Sequence, residues 1–239
     1  MNLPKLGPSV RVGDQVFDAI QDAIMRGDLA GGQRLQIRQV ADQLGISVMP
    51  VREAMKRLEE AGLVESQPYR GAVVRTFSAE ELLNLYAVRR LLEVEAARLG
   101  AAASTPDDLA RLRTLRIEME DSLVAGQVAE YLDKDEEFLA VIYAGSGNPF
   151  LVENIRRLWR RCRTYKIFGA KQEMQSGNLP ELLRHQDRLL EATEIRDAGL
   201  AARATDESLD AATRRIRVAL SEDQVIDGAV RASSPFGSA

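Results

Sequence analysis

The sequence predicts a mostly helical protein, with a small N-terminal domain that includes a β-hairpin and a larger all-helical C-terminal domain. Apolar residues recur at helical spacing through most of the 239 residues. Strand-like runs with β-branched residues such as Val73 and Val74 occur only before Phe77. Clusters of glycine and proline at 145–149 and 177–180 divide the later helical segments from one another.

Composition is that of a globular protein, with 45% hydrophobic and 28% charged residues in a chain long enough for two domains. The first ten residues lack the apolar core of a signal peptide, and no apolar run is long enough to span a membrane. Cys162 is the single cysteine, so no internal disulfide can form and a reducing cytoplasm is the expected location.

Charge differs between the two parts of the chain. Residues 1–77 contain 10 Lys or Arg and 9 Asp or Glu, a net charge of +1, whereas residues 78–239 contain 22 and 27, a net charge of −5. This asymmetry favours a DNA-binding N-terminal domain joined to an acidic effector domain.

The N-terminal part begins with two predicted helices that each end at a glycine. Helical spacing of apolar residues predicts a helix over 12–25, which Gly27 ends. A shorter helix is predicted over 38–44, and Gly45 supplies a sharp turn after it.

A third helix follows this turn directly. Ser47 is placed as its N-cap, and Arg52 and Lys56 lie one turn apart on its outer face. Two strand-like runs, 63–66 and 72–76, then flank a hairpin tip. This order of elements is that of a winged helix-turn-helix, which places one helix in the DNA major groove and a β-hairpin beside it.

The polar residues of this segment have the chemistry that DNA contacts require. The guanidinium of Arg52 can pair with O6 and N7 of guanine, and Lys56 can neutralise a phosphate. Ser47 and the adjacent N–H groups suit a phosphate, and Arg70 and Gly71 at the hairpin tip are placed to reach the minor groove. Each cation taken singly is more often a solvated surface charge. Together with the order of elements, they predict DNA binding.

Six helices are predicted after Phe77, the first opened by a capping box from Ser78 to Glu81. Their expected spans are 78–99, 105–124, 129–143, 150–168, 181–196 and 200–220. Short connections predict an antiparallel bundle. The expected domains are therefore 8–77 and 78–222, followed by a tail at 223–239 whose small and polar residues predict disorder.

Two parts of the chain resemble a known family of bacterial regulators. The runs PVREA at 50–54 and RLEEAGLV at 57–64, with the later Arg70-Gly71 pair, resemble the N-terminal domain of the GntR family. The run LYAVRRLLE at 85–93, followed by GNP at 147–149, resembles the FCD effector domain of its FadR subfamily. The resemblance covers about residues 10–222. It implies a ligand-responsive transcriptional regulator, a repressor that binds a short inverted repeat as a dimer.

The resemblance also implies which positions contact double-stranded DNA. These positions are Arg38, Ser47, Val48, Met49, Arg52, Arg70 and Gly71. At Val48 and Met49 the family usually carries arginine and threonine. The missing cation predicts a weaker salt dependence of binding, and Val48 is placed to touch a thymine methyl group instead.

An effector pocket in the helical domain is implied in the same way. Arg89 matches an arginine that can pair with an acidic ligand, so a small organic acid is the expected effector. Many family members bind a divalent metal at positions that match Asp135, Leu139, Gln186 and Ser208. Leucine offers no donor atom, so no metal is expected. His185 lies one position from Gln186, and a slip of the alignment would bring it beside Asp135.

The sequence offers less support for other classes of function. A carboxylate-bridged metal enzyme needs Glu-x-x-His pairs, which one histidine cannot supply, so no enzyme and no cofactor are expected. A helical-bundle adaptor, or a metal-free ligand sensor with weakened DNA binding, remains the alternative. The apolar Val48 at the start of the third helix is the feature that supports it.

Overall fold

The computed structural model describes residues 12–67, 71–177 and 179–232, with side chains through residue 217. Nine helices and three short strands form within these ranges. In chain order they are α1 (Val12–Arg26), β1 (Arg34–Leu35), α2 (Ile37–Leu44), α3 (Val48–Glu60), β2 (Val64–Gln67), β3 (Gly71–Val74), α4 (Ala79–Ala103), α5 (Pro106–Val124), α6 (Val128–Ala144), α7 (Pro149–Gln175), α8 (Leu179–Glu194) and α9 (Ala198–Ala232). The predicted fold class is confirmed.

The chain forms two compact units. The N-terminal unit contains the described residues up to Thr76 together with Trp159–Gly169 of α7, and the remainder forms the helical unit. The sequence predicts that all of α7 belongs to the helical domain. Within the N-terminal unit, however, the buried Arg163 donates a hydrogen bond from Nε to the carbonyl oxygen of Met25 at 2.9 Å. The Met25 carbonyl group near the end of α1 gains a hydrogen-bond partner in this way. Helical periodicity in the sequence does not reveal this contact.

The N-terminal unit packs α1, α2 and α3 over a small antiparallel sheet. Ile20 and Ile24 of α1 and Leu58 of α3 lie in one buried apolar cluster with residues of the sheet. The strand order is β1-β3-β2, and Val64 of β2 pairs with Val74 of β3. The predicted hairpin therefore gains a third strand. Its two residues are too few to show an alternating pattern in the sequence.

The turn between α2 and α3 forms where the sequence predicts it. Gly45 has a φ of +65°, and its N–H bonds to the carbonyl oxygens of Ala41 and Asp42 at the end of α2. Glycine adopts this left-handed conformation at little energetic cost because it has no Cβ. The turn thus places the start of α3 directly after α2.

The helical unit is built around α4, which packs against α6, α8 and α9, while α5 packs against α6 and α8. Capping boxes open α4 at Ser78 and α5 at Thr105, and the first of these was predicted. The apolar core includes Ala97, Leu112 and Phe138. Helices α4, α5, α6, α8 and α9 therefore pack around the interior of this unit.

The last helix differs from its predicted length. The backbone of α9 is helical through Ala232, past residue 222, where the sequence analysis ends the helical domain. Residues 221–227 contain no glycine or proline, so no helix-breaking residue ends α9 there. Residues 233–239 lie outside the described part of the chain.

None of the described helices is both long enough and apolar enough to cross a membrane.

Candidate nucleic-acid interface and effector site

The outer face of α3 carries two exposed cations, as the sequence predicts. Val51, Ala54 and Leu58 on its inner face are buried. On the outer face, Lys56 lies 3.9 Å from Glu60, a weak exposed ion pair. Arg52 is exposed, and none of the described residues forms an ion pair or hydrogen bond with it. Its guanidinium is thus available to an outside partner.

The first turn of α3 presents polar and apolar groups side by side. Ser47 occupies the N-cap position, but its side chain makes no capping hydrogen bond within the described structure. Val48 is partly buried against the apolar cluster of the N-terminal unit, whereas Met49 is 62% exposed. Of the two atypical positions, Met49 therefore presents more apolar surface to a partner. Arg38 of α2 is exposed as well.

Arg57, the third cation near this face, has a different role. Its Nη1 lies 2.5 Å from Oδ1 of Asp14, and its guanidinium stands 4.4 Å over the ring of Phe17. Both partners belong to α1, so Arg57 holds α3 against α1. Arg57 follows Lys56 directly on α3, and helical spacing alone does not reveal its partners on α1.

Glu59 is a second residue that the sequence analysis missed. Its carboxylate accepts hydrogen bonds from the backbone N–H of Ser66 at 2.9 Å and from the hydroxyl of Ser66 at 2.7 Å. These hydrogen bonds lower the pKa of Glu59. They join the end of α3 to strand β2, so the hairpin is held in position relative to the helix.

The hairpin tip is described only in part. Arg70, one of the predicted DNA contacts, lies outside the described residues, and Gly71 begins β3. Arg34 on the adjacent strand β1 is exposed. Arg34 was not among the predicted contacts because the sequence does not predict β1.

Gly71 is required by the sheet itself. Its φ is +90°, and a Cβ at this position would overlap the carbonyl oxygen of Leu35 and lie 3.2 Å from Cα of Gln36. We therefore expect Gly71→Ala to destabilise the protein by about 2–3 kcal/mol, since it combines left-handed strain with overpacking. Urea unfolding measures the change.

Gly45→Ala is the matched control for this substitution. Gly45 also has a positive φ, but a Cβ there would meet nothing within 4 Å. Its replacement should cost only the backbone strain, about 1 kcal/mol. Equal losses for the two variants would show that the contact with β1 does not restrict position 71.

The helical unit contains a set of polar side chains in its interior. Arg89 and Glu93 of α4 are both buried, with Nε 2.6 Å from Oε1 and Nη2 3.3 Å from Oε2. Asp135 of α6 and Gln186 of α8 are also buried, and Nε2 of Gln186 lies 2.5 Å from Oδ1 of Asp135. The structure thus brings the predicted Asp135 and Gln186 into direct contact.

Two further side chains belong to this interior set. The hydroxyl of Tyr143 lies 3.5 Å from Oε2 of Glu93, and burial, with a further effect of Glu93, raises the pKa of Tyr143 well above its usual value. Burial lowers the pKa of His185, although the charges of Asp135 and Glu93 act in the opposite direction. At neutral pH, Tyr143 is therefore protonated and the His185 imidazole uncharged. Below, "the polar cluster" denotes Arg89, Glu93, Asp135, Tyr143, His185 and Gln186.

Of these six residues, Arg89, Asp135 and Gln186 were predicted as pocket residues, and His185 was expected beside Asp135 only if the alignment slips by one position. Glu93 and Tyr143 were missed, although each lies on the same helix face as a predicted residue, four after Arg89 and eight after Asp135. Leu139 is buried on α6 between Asp135 and Tyr143. Ser208 is partly buried on α9, and no described hydrogen bond or ion pair joins it to the polar cluster.

The donor atoms here do not fit a divalent metal site. Among the described residues, no group of three or more His, Cys, Asp or Glu side chains converges on one point. Leu139 has no donor atom, and Gln186 directs its amide N–H rather than its oxygen toward Asp135. A metal needs several converging lone pairs, which this arrangement does not offer.

Comparison with protein families matches both units. Residues 12–74 match the model of bacterial regulatory proteins of the gntR family, and residues 84–211 match the FCD domain. The HTH-type transcriptional regulator McbR of Escherichia coli (strain K12) is 31% identical over 183 residues, which are 77% of this chain and 82% of McbR. The Nta operon transcriptional regulator of Aminobacter aminovorans is 33% identical over 134 residues, 55% of this chain and 62% of that protein.

Solved structures agree with these matches. The structure of E. coli McbR/YncC has a TM-score of 0.73 and 26% identity, and the match covers 89% of this chain and all of that chain. The crystal structure of a putative transcriptional regulator GntR from Rhodococcus sp. RHA1, at 23% identity, shares the fold with a TM-score of 0.74 over 87% of this chain and 98% of that one. This chain belongs to the GntR family, with the FCD architecture of the FadR subfamily, and is a transcriptional regulator rather than an enzyme.

Proposed function

We propose that the protein is a cytoplasmic, ligand-responsive repressor that binds a short inverted-repeat operator as a dimer. The observation that carries this proposal is the outer face of α3, where Arg52 is exposed without a partner in the described structure. A guanidinium in this state suits bidentate pairing with guanine. It also favours DNA binding over the alternative of a protein adaptor, because adaptor surfaces do not require an unpaired cation at this helix position.

The surrounding residues are assigned to three kinds of DNA contact. Arg52 reads a base edge, and Met49, which is more exposed than Val48, meets a thymine methyl group. Arg38, Ser47 and Lys56, with the N–H groups at the start of α3, bind phosphates. For the hairpin tip, Arg70 and Gly71 stay the proposed minor-groove contacts, as the sequence indicates.

Dimerisation is expected because one recognition helix covers only a short stretch of DNA. A single helix contacts only a few base pairs, so specific binding needs two copies on a two-fold repeat. Val88 and Leu91 of α4 lie one turn apart and are 45% and 76% exposed. This apolar face supports a contact between two helical units.

The effector is a small molecule that binds in the helical unit. The resemblance leads us to expect an organic acid, with Arg89 as its partner. In the structure, Arg89 is already paired with the carboxylate of Glu93, so an acid would have to displace or share that partner. Binding of the effector would shift the protein between states of different DNA affinity, a coupling of two sites.

DNA binding is tested by fluorescence anisotropy with labelled fragments from around the protein's own operon. We expect tight binding to one inverted repeat, with two chains per repeat, and much weaker binding to a half-site or a scrambled repeat. The logarithm of the binding constant should fall linearly with that of the salt concentration, with a slope of roughly 0.9 per phosphate contact. The absence of salt-sensitive binding to any palindromic fragment would overturn the proposal.

A further inference from the structure

The cations in the described segments between residues 12 and 76 fall into two groups. Four of them have an acidic partner: Arg26 with Asp28, Lys56 with Glu60, Arg57 with Asp14 and Arg75 with Glu65. The other three, Arg34, Arg38 and Arg52, form no ion pair or hydrogen bond with any described residue. Arg38 and Arg52 are already proposed as DNA contacts. Arg34 is thus the remaining arginine of this group whose charge is available to an outside partner.

Arg34 lies on the outer face of the small sheet, in its edge strand β1. The next residue, Leu35, is buried in the apolar cluster of the N-terminal unit. Gln36 follows with an extended backbone, at φ −83° and ψ 120°. Because side chains alternate along extended backbone, Arg34 and Gln36 both point away from this cluster, and both are exposed. Below, "the β1 strip" denotes Arg34 and Gln36.

The β1 strip lies against the hairpin. Arg34 pairs with Val73 and Leu35 pairs with Ala72, so β1 runs alongside β3 toward the hairpin tip. At the end of this pairing, a Cβ on Gly71 would lie 3.2 Å from Cα of Gln36. Gln36 is therefore a direct neighbour of the residue that is proposed to approach the minor groove.

The surroundings leave the charge of Arg34 uncompensated by the sheet. Val73 separates Arg34 from Glu65, the residue that pairs with Val73 on the other side. The carboxylate of Glu65 is itself paired with Arg75, with Oε1 3.4 Å from Nε. On the chain, Arg38 follows Gln36 by two residues, in the first turn of α2. The β1 strip thus joins the hairpin to α2 through a row of exposed polar side chains.

We propose that Arg34 is a further DNA contact, which binds a phosphate at the edge of the minor groove that the hairpin approaches. Gln36 donates an amide hydrogen bond to a neighbouring phosphate of the same strand. The inference rests on the proposed DNA binding by α3 and the hairpin, and it adds β1 as another element of that interface. A guanidinium presents a planar set of donors that matches two phosphate oxygens, and side-chain amides also bind phosphates.

A phosphate is a better partner for Arg34 than a base. The base edges of the major groove are read by a helix or ribbon that enters the groove, and α3 has that role in the proposed interface. Arg34 lies instead on an edge strand beside the hairpin. Its contribution is therefore independent of sequence. It matters because residues 1–77 have a net charge of only +1, so each unpaired cation supplies a large part of the attraction to DNA.

Arg34→Ala in the full-length protein is expected to weaken operator binding by about tenfold at about 0.1 M salt and to lower the salt slope by about 1 for each bound chain. A scrambled repeat should lose affinity by the same factor, because phosphate contacts carry no sequence information. Arg34→Lys keeps the charge and should restore the salt slope. Anisotropy titrations over a range of salt concentrations measure these effects.

Two controls accompany this variant. Arg26→Ala removes the same charge from the N-terminal unit where Asp28 offsets it, and it should leave affinity and salt slope almost unchanged. Gln36→Ala should weaken binding by about threefold without changing the salt slope, because the lost amide carries no charge. Urea unfolding should give the same midpoint for Arg34→Ala as for the unmodified protein, since Arg34 is exposed.

Neutral methylphosphonate groups, placed one at a time in the operator, locate the contact. Hydroxyl-radical cleavage first identifies the minor groove that the hairpin protects. Where the phosphate that Arg34 binds is already neutral, Arg34→Ala should cause little further loss of affinity, as a double-mutant cycle detects. We expect this phosphate to border the protected minor groove, and Lys56→Ala to couple to a different phosphate.

Three results would overturn the inference: an affinity and salt slope unchanged by Arg34→Ala, a loss no larger than that of Arg26→Ala, or coupling to no phosphate beside the protected minor groove. Each of these results presupposes that the unmodified protein binds its operator. The proposed regulatory function therefore stands if the operator is bound and Arg34 proves irrelevant. If the unmodified protein binds no operator, the proposed function itself fails.

Discussion

Replacing Gly100 by alanine is expected to destabilise the helical unit by about 3 kcal/mol or more, among the largest losses for a single methyl group in this protein. A Cβ on Gly100 would overlap the carbonyl oxygen of Ile142 and lie 2.7 Å from its carbonyl carbon. Both atoms belong to the backbone of α6, so they cannot rotate away as a side chain would. The two helices must separate or bend before alanine fits.

The loss would appear in urea unfolding as a lower midpoint with little change in slope. Gly169→Ala is the matched control, because Gly169 also lies within a helix and a Cβ there would meet nothing within 4 Å. Alanine has the higher helix propensity, so this control should stabilise the protein by a few tenths to about 1 kcal/mol. If both variants were equally stable, α4 and α6 would not approach as closely as the structure shows.

Gly100 also shows where the sequence stops being informative about the fold. The run RLGAAA at 98–103 predicts helix, and α4 continues through it. Nothing in this run identifies Ile142 as the neighbour, because the contact joins residues more than forty positions apart. Gly45 is the opposite case. Its conformation follows from local chain geometry, so the turn between α2 and α3 was predictable from the sequence.

The same contrast between local patterns and contacts of distant residues applies to the candidate DNA-binding residues. Ser47, Arg52 and Lys56 could be proposed as DNA contacts because a short segment contains them in a fixed order. Helical spacing did not separate Arg52 from Arg57, since the partners of Arg57 lie on α1, 43 residues away in the case of Asp14. Tertiary neighbours determine whether an exposed cation is available to DNA, and a local pattern does not contain them.

The polar residues inside the helical unit were predicted mainly from the family resemblance. Asp135 and Gln186 are 51 residues apart in sequence and yet share a hydrogen bond. The pairing of Arg89 with Glu93 spans only four residues, so its geometry could have been predicted. The charge of Arg89 predicts an acidic partner, and the carboxylate of Glu93 one turn later is such a partner within the protein. The organic-acid effector stays a prediction.

A second large effect is expected at the DNA surface, where Arg52→Ala should reduce affinity for the operator by about tenfold to a hundredfold, equal to 1–3 kcal/mol. Loss of a bidentate contact with guanine should also relax sequence preference, so the variant should bind the operator and a copy with that base pair changed almost equally well. Anisotropy titrations of both fragments at fixed salt concentration measure the two effects.

Two matched variants separate base reading from general electrostatics. Arg26→Ala removes the same charge from the N-terminal unit at the end of α1, where Arg26 is paired with Asp28, and should change affinity by about twofold at most. Lys56→Ala should weaken binding to all sequences alike and lower the salt slope by about 1, because we propose that Lys56 contacts a phosphate. The contrary result is that Arg52→Ala behaves like Lys56→Ala, with a uniform loss of affinity and an unchanged sequence preference. That result would make Arg52 a phosphate contact. Base recognition would then have to come from other residues in the first turn of α3, among which Met49 is the most exposed apolar side chain.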